Sequence, residues 1–357
     1  MSIIYDREAT KKRRLELDQY LSTSVLGTDF VCADHLRCRS SHTGAFYEGQ
    51  LHHVGRFYDL IFDNMPLRVV VVGQEYGHGP SLVDSPSRHA MIMRSALGGY
   101  SARNPHMRGT TNVLRLLFGI PLGTDLDSEF ITIEGKRIHI FDAFALVNYL
   151  LCTATEGVGT MRGIATPTMK KNCKVHFSKA IRILDPSIVI VQGKTFWPHV
   201  RQAFDSVTNL IEHVYRARLG STETLVAVFA HPSARYPHNW GVNDHTPYLL
   251  GTVVPTIATI RQILQGDFRF AINKPPKARS LAAPGEYRKG TSAQWGLDAI
   301  RAAGSISKEE LKALARVACK AGEFKCTVDP GQRIIHMTRD YIVRGFVKKE
   351  GDVYKPM

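Results

Sequence analysis

Four short apolar runs punctuate the first two thirds of the chain: residues 67–73 (LRVVVVG), 137–144 (RIHIFDAF), 187–193 (SIVIVQG) and 225–230 (LVAVFA). Each is rich in Val, Ile or Phe, has the length of a strand and ends in Gly or polar residues. Near-continuous apolar runs suit strands buried on both faces, as in a parallel sheet. Apolar positions at helical spacing lie between or after them, over 111–118 (TNVLRLLF), 174–184 (KVHFSKAIRIL) and 255–264 (PTIATIRQIL). This alternation predicts an α/β protein, a three-layer α/β/α fold around a central four-stranded, mainly parallel sheet.

The pattern changes after residue 267. Ser307-Lys-Glu-Glu310 has capping-box spacing and leads a helical run over 311–321, with Gly322 as a stop. A second helical pattern covers 334–343. Residues 346–355 (FVKKEGDVYK) read as a hairpin turning at Glu350-Gly-Asp352. Helices followed by a basic hairpin resemble a winged helix, a module that sets a basic helix or wing on DNA. A small helical cap or a protein-contact domain fits nearly as well. Between the two regions, the paired prolines and basic neighbours of residues 273–280 (NKPPKARS) read as a stiff, solvated linker. The expected division is therefore 1–267, a linker 268–294 and a small domain 295–357.

Charge sharpens this division. The 357 residues carry a formal net charge of +14. Residues 268–357 hold 18 Lys and Arg against 9 Asp and Glu, and residues 1–267 hold 28 against 23. A basic surplus points to a polyanionic partner, most simply nucleic acid, or else to solubility alone. No stretch approaches the roughly 20 apolar residues of a membrane span. Residues 1–14 show no apolar segment of a secretory signal. The expectation is a cytoplasmic, nucleoid-associated monomer with DNA as its partner and no membrane association.

In α/β sheets, ligands bind beyond the carboxyl ends of the strands. Three runs end there in chemically useful groups: Gly73-Gln-Glu-Tyr-Gly-His78, Ala145-Leu-Val-Asn148 and His231-Pro-Ser-Ala-Arg-Tyr-Pro-His-Asn-Trp240. Asn148 offers both donor and acceptor, as reading a nucleobase edge requires, or it caps a local turn. A His231 ring N–H suits stabilisation of a developing anion, or the residue is a satisfied structural histidine. Glu75 suits orienting or activating a water, or it is a surface carboxylate.

These segments resemble the uracil-DNA glycosylase superfamily. Residues 73–78 are similar to its first motif, GQDPYH in one branch and GEAPG in the iron–sulfur branch, and His231-Pro-Ser233 matches the opening of its second motif. Val147-Asn-Tyr-Leu-Leu-Cys152 resembles the NVVKC of the iron–sulfur branch. Pro167, Cys173 and residues 185–193 (DPSIVIVQG) follow in that branch's order. The resemblance covers roughly residues 30–265. It implies a DNA glycosylase that flips uracil or a related damaged or modified base out of single- or double-stranded DNA and hydrolyses its glycosidic bond. The catalytic residues it implies are Glu75, Asn148 and His231. The base-binding residues it implies are Gly73, Gln74 through its backbone, Tyr76, His106 and Asn148. His78, Ser233, Arg235 and Tyr236 are implied on DNA, the last two as a wedge. The carboxylate stands in the third motif position, and the second is Gln74. Tyr76 and Gly77 replace the family's Pro and its Tyr or Gly, which leaves the screen against thymine open. His106 stands where the family stacks a Phe on the base, so a changed base preference is a live reading. A DNA-binding protein without catalysis on the same scaffold is the alternative.

The chain has six cysteines. Without a secretory signal, disulfides are the lesser expectation. The resemblance places Cys32, Cys38, Cys152 and Cys173 as ligands of a structural [4Fe–4S] cluster, with zinc as the alternative occupant. Five residues separate Cys32 from Cys38, where the family has two. Cys319 and Cys326 match nothing and read as ordinary thiols.

Overall fold

A computed structural model describes residues 3–63, 65–75, 82–156, 163–266, 292–324, 329–343 and 346–357. The chain divides into two compact units, 1–269 and 270–357. The first is built on a seven-stranded mixed sheet, where four strands were expected. Its strands are β1 (His53–Val54), β2 (Val69–Gly73), β3 (Phe144–Asn148), β4 (Ile188–Gln192), β5 (Ser206–Ile211), β6 (Val214–Leu219) and β7 (Thr222–Phe229). They lie in the order β5-β6-β7-β4-β2-β3-β1. The four central strands β7, β4, β2 and β3 are parallel, as the unbroken apolar runs predict. The antiparallel β5, β6 and β1 extend them on both sides.

The run at 137–144 is not one strand. Lys136–His139 pairs with Phe130–Ile133 as a separate hairpin. A 3-10 turn over Ile140–Asp142 then reverses the chain, with His139 Nδ1 accepting the Phe141 N–H at 3.0 Å. The sheet strand begins at Phe144, so Asn148 is its last residue rather than part of a following loop.

The helices are α1 (Arg7–Ser24), α2 (Ser85–Leu97), α3 (Pro105–Leu117), α4 (Pro167–Leu184) and α5 (Val254–Gln265). Three start on a side-chain cap followed by an early Pro: Asp84 for α2, Asn104 for α3 and Thr166 for α4. Side chains alternate across a strand. Val70 and Val72 therefore join one core with Leu17 and Leu21 of α1 and Phe177 and Ile181 of α4. Val69 and Val71 join a second core with Ile92 of α2, Val113 and Leu114 of α3 and Ile257 and Ile260 of α5.

The second unit runs α6 (Ser292–Ala303), β8 (Ile306–Ser307), α7 (Lys308–Lys320), α8 (Pro330–Val343), β9 (Val347–Glu350) and β10 (Val353–Pro356). Its strands form a sheet in the order β8-β10-β9, and it has a core of its own around Leu297, Ile300, Leu311, Ile334, Tyr341 and Tyr354. Ser307 caps α7 in a full capping box with Glu310, as its spacing predicts. The helix α6 begins at Ser292, three residues before the expected start of this domain. Most of the expected linker 268–294 lies outside the described residues.

Candidate active site at the carboxyl rim of the sheet

The four parallel strands end together. The last residues of β2 and β3, Gly73 and Asn148, are direct partners in the ladder. The chain then stays paired: Tyr149 N–H donates to the Gly73 carbonyl at 3.0 Å and Leu150 N–H to that of Gln74 at 2.8 Å. A side chain at Gly73 would meet His106 Nε2 at 3.1 Å and Asn148 Oδ1 at 3.3 Å. A side chain there would press on the amide and the imidazole where they converge on the backbone. Asn148 is 2% exposed, and its Nδ2 is buried with no hydrogen-bond partner among the described residues. An unmet donor of this kind costs about 1–3 kcal/mol, so it marks a place where a ligand acceptor is missing.

His106 sits in the first turn of α3, which begins six residues before the apolar pattern at 111–118. Its ring centroid lies 6.3 Å from that of His231. The two are held by packing of α3 against the loop after β7. Gly109 is so close to Pro232 and Trp240 that a Cβ would stand 3.0 Å from both, and a Cβ on Gly241 would collide with the Pro105 carbonyl. Trp240 is fully buried and donates from Nε1 to the Ala230 carbonyl at 2.7 Å, closing the loop on itself.

His231 retains substantial solvent exposure at the rim, yet the surrounding walls push its pKa down. The Ser233 backbone N–H, 3.2 Å away, and hydroxyl, 2.8 Å away, both point at His231 Nδ1. A backbone N–H can only donate, so Nδ1 is an acceptor and the ring proton is on Nε2. Ser233, expected on DNA, thus fixes the tautomer of His231. Burial also pushes His106 down, to about 3, with His231 and Arg88 adding to the effect. Both imidazoles are neutral at pH 7.

Glu75 is packed against Gly163, where any Cβ would overlap its carboxylate. Burial raises its pKa to about 7, partly offset by the Gln74 side chain and Lys170. Its described neighbours do not include His106, Asn148 or His231. Arg235 and Tyr236 are exposed on the loop after β7, Tyr236 to 75%. Tyr76 and His78 lie outside the described residues. Sequence reasoning missed Gln192, the buried last residue of β4. Its Nε2 donates to Thr110 Oγ1 at 3.1 Å, and Thr110 in turn donates to the His106 carbonyl. A lone Gln closing the apolar run IVIVQ was the available signal.

The four cysteines singled out in sequence come together below this rim. Cys38, Cys152 and Cys173 are buried and Cys32 is half-buried. All four are free thiols within electrostatic reach of one another. Burial is the main cause that raises each pKa, for Cys173 to about 12. One N–H donor serves each sulfur: Asp34 for Cys32, Gly49 for Cys152 and Leu151 for Cys173 from the backbone, and Asn172 Nδ2 for Cys38 at 3.4 Å. His176 adds a ring nitrogen 3.6 Å from Cys32 Sγ. Cys38 lies on the short helix His35–Ser40, and after it Ala45–Tyr47 pairs with Thr153–Thr155 directly after Cys152. Among the described residues, no three His, Cys, Asp or Glu groups stand as a ready single-ion site. Donors aimed at four sulfurs nonetheless suit thiolates, whose charge they stabilise. Cys319 is a free thiol of the second unit, and Cys326 lies outside the described residues.

No protein-family model matches this chain, and no curated protein matches it in sequence. Among the described residues, no helix is long and apolar enough to cross a membrane.

Proposed function

We propose that this chain is a DNA glycosylase that flips uracil or a related base into the rim pocket and hydrolyses its glycosidic bond. The observation that carries this reading is the convergence of Gly73, His106, Asn148 and a neutral, Nε2-protonated His231 at the carboxyl rim of the sheet. A flipped base meets an amide able to read its edge, since the unpaired Asn148 Nδ2 donates to a ring carbonyl. It meets an imidazole face at His106 for stacking. As the bond to the sugar breaks, negative charge gathers on the base. The His231 Nε2–H stabilises it without surrendering a proton, and a preorganised donor of this kind contributes roughly 3–4 kcal/mol. The carboxylate of Glu75, with a pKa near neutrality, suits a group that takes charge from an attacking water.

The four-thiol cluster fits a structural [4Fe–4S] centre held by Cys32, Cys38, Cys152 and Cys173. Such a centre takes four thiolates and is tuned by hydrogen bonds to its sulfurs. Cores on the two faces of the sheet support the three-layer α/β/α reading. The order helix, strand, helix, helix and hairpin, with β8 beside β10, supports a winged-helix reading of the second unit.

The test is incubation of purified protein with oligonucleotides containing uracil, hypoxanthine, xanthine or 5-hydroxymethyluracil, followed by alkali. Strand breaks at the modified base are expected. No abasic site with any of the four overturns the enzymatic reading and favours a non-catalytic DNA-binding protein. Protein prepared without oxygen is expected to be brown and to contain iron, whereas a colourless zinc protein overturns the cluster.

A further inference from the structure

The helix α4 carries Lys170, Lys171, Lys174, Lys179 and Arg182 and no acidic residue. Its five positive charges equal the whole surplus of residues 1–267, so the rest of that region is charge-balanced. Lys171, Lys174, Lys179 and Arg182 are exposed. None of the five forms an ion pair among the described residues. On neighbouring α1, Arg13 is answered by Asp59 and Asp185 and Lys12 by Glu16, whereas Arg7, Lys11 and Arg14 form no ion pair among the described residues. Residues 171, 174, 178 and 182 recur at helical spacing on one face. With Tyr20 of α1 they line a groove of about 410 Å³. Lys179 Nζ lies 5.8 Å over the Tyr20 ring, and Val175 stands 59% exposed beside it. Unanswered like charges along a helix of roughly 27 Å repel one another, a cost that a polyanion removes.

We propose that the α1–α4 groove is a track for the backbone of a single nucleic-acid strand. Cations at 171, 174, 179 and 182 along the groove suit phosphates, and the aromatic and aliphatic surfaces between them suit unstacked bases, which a duplex does not present. Lys170, which acts electrostatically on Glu75, adds a fifth positive charge at this end of the helix. This inference stands on charge and shape and does not require base excision.

The test measures binding of fluorescein-labelled (dT)20 to the full-length protein by anisotropy between 50 and 300 mM NaCl. Each phosphate contact to a single strand contributes about 0.7 to the slope of log affinity against log salt. The triple variant Lys171→Gln, Lys174→Gln, Lys179→Gln is therefore expected to flatten the slope by about 2 and to weaken binding at least about tenfold at low salt. A control with the same charge change elsewhere on the unit, Lys136→Gln, Arg137→Gln, Arg218→Gln, is expected to leave the slope within about 0.5 of wild type. Equal slopes in wild type and the α4 variant, or equal losses in the two triple variants, overturn the track. So does an equal loss of affinity for a 20-base-pair duplex. A protein that shows the slope change but cleaves no modified base retains the track and loses the glycosylase reading.

Discussion

At the scale of single residues, Glu75 separates chemistry from stability. Its raised pKa means that the folded protein holds a proton that the unfolded chain releases nearer the ordinary 4.5. Its contribution to stability therefore falls as pH rises from about 4.5 and levels off above about 7. The neutral isostere Glu75→Gln should raise the melting temperature at pH 8 and leave it unchanged at pH 4, measured by differential scanning fluorimetry. The same variant should lose the rise in base-excision rate expected between about pH 6 and 8, because only the carboxylate can take charge from water. His231→Ala should lower the single-turnover rate roughly 10²–10³-fold while the affinity for DNA changes little. Equal losses in both quantities would assign His231 to binding instead. Ser233→Ala should lower the rate less, because the Ser233 backbone N–H still holds the tautomer.

At the scale of elements, the site depends on how closely α3 meets the loop after β7. Gly241→Ala drives a methyl group into the Pro105 carbonyl, a backbone atom that cannot rotate away. It should cost about 1–3 kcal/mol in denaturant unfolding and move His231 away from His106. The buried pair Arg103–Glu129, 2.6 Å apart, joins the start of α3 to the Phe130 hairpin, and His139 adds a second contact to Glu129 at 3.0 Å. Glu129→Ala strands a buried guanidinium and should cost about 3–5 kcal/mol. The sequence announced the elements that bury both faces, because a parallel strand needs a continuous apolar run. It announced β1 not at all, since two residues carry no period. The alternating VYRARL of β6 was the overlooked signal of a half-exposed antiparallel strand. The apolar residues of 137–144 misled because neither Gly nor Pro marks the 3-10 turn within them. Asn148, His231 and the four cysteines were legible as residue types in order. The role of Gln192 was not, because its partner Thr110 lies 82 residues away, and nor was the Ser233–His231 bond, a local contact that residue types alone do not specify.

At the scale of the molecule, two units with separate cores make two separable roles. A chain ending at residue 266 should retain base excision at saturating DNA and lose part of the salt dependence of binding. An unchanged salt slope would show the nine-charge surplus beyond residue 267 to be solvated surface only. Within the first unit, α4 has a different property. Cys173 points inward from it, Lys171 and Lys174 point outward, and Lys170 approaches Glu75. All three depend on one rotational phase. A residue deleted from the first turn of α4 turns everything beyond it by about 100°. In a deletion scan this helix should therefore keep its fold under exposed substitutions and tolerate no change of length, losing thiol set, groove and rim in a single step.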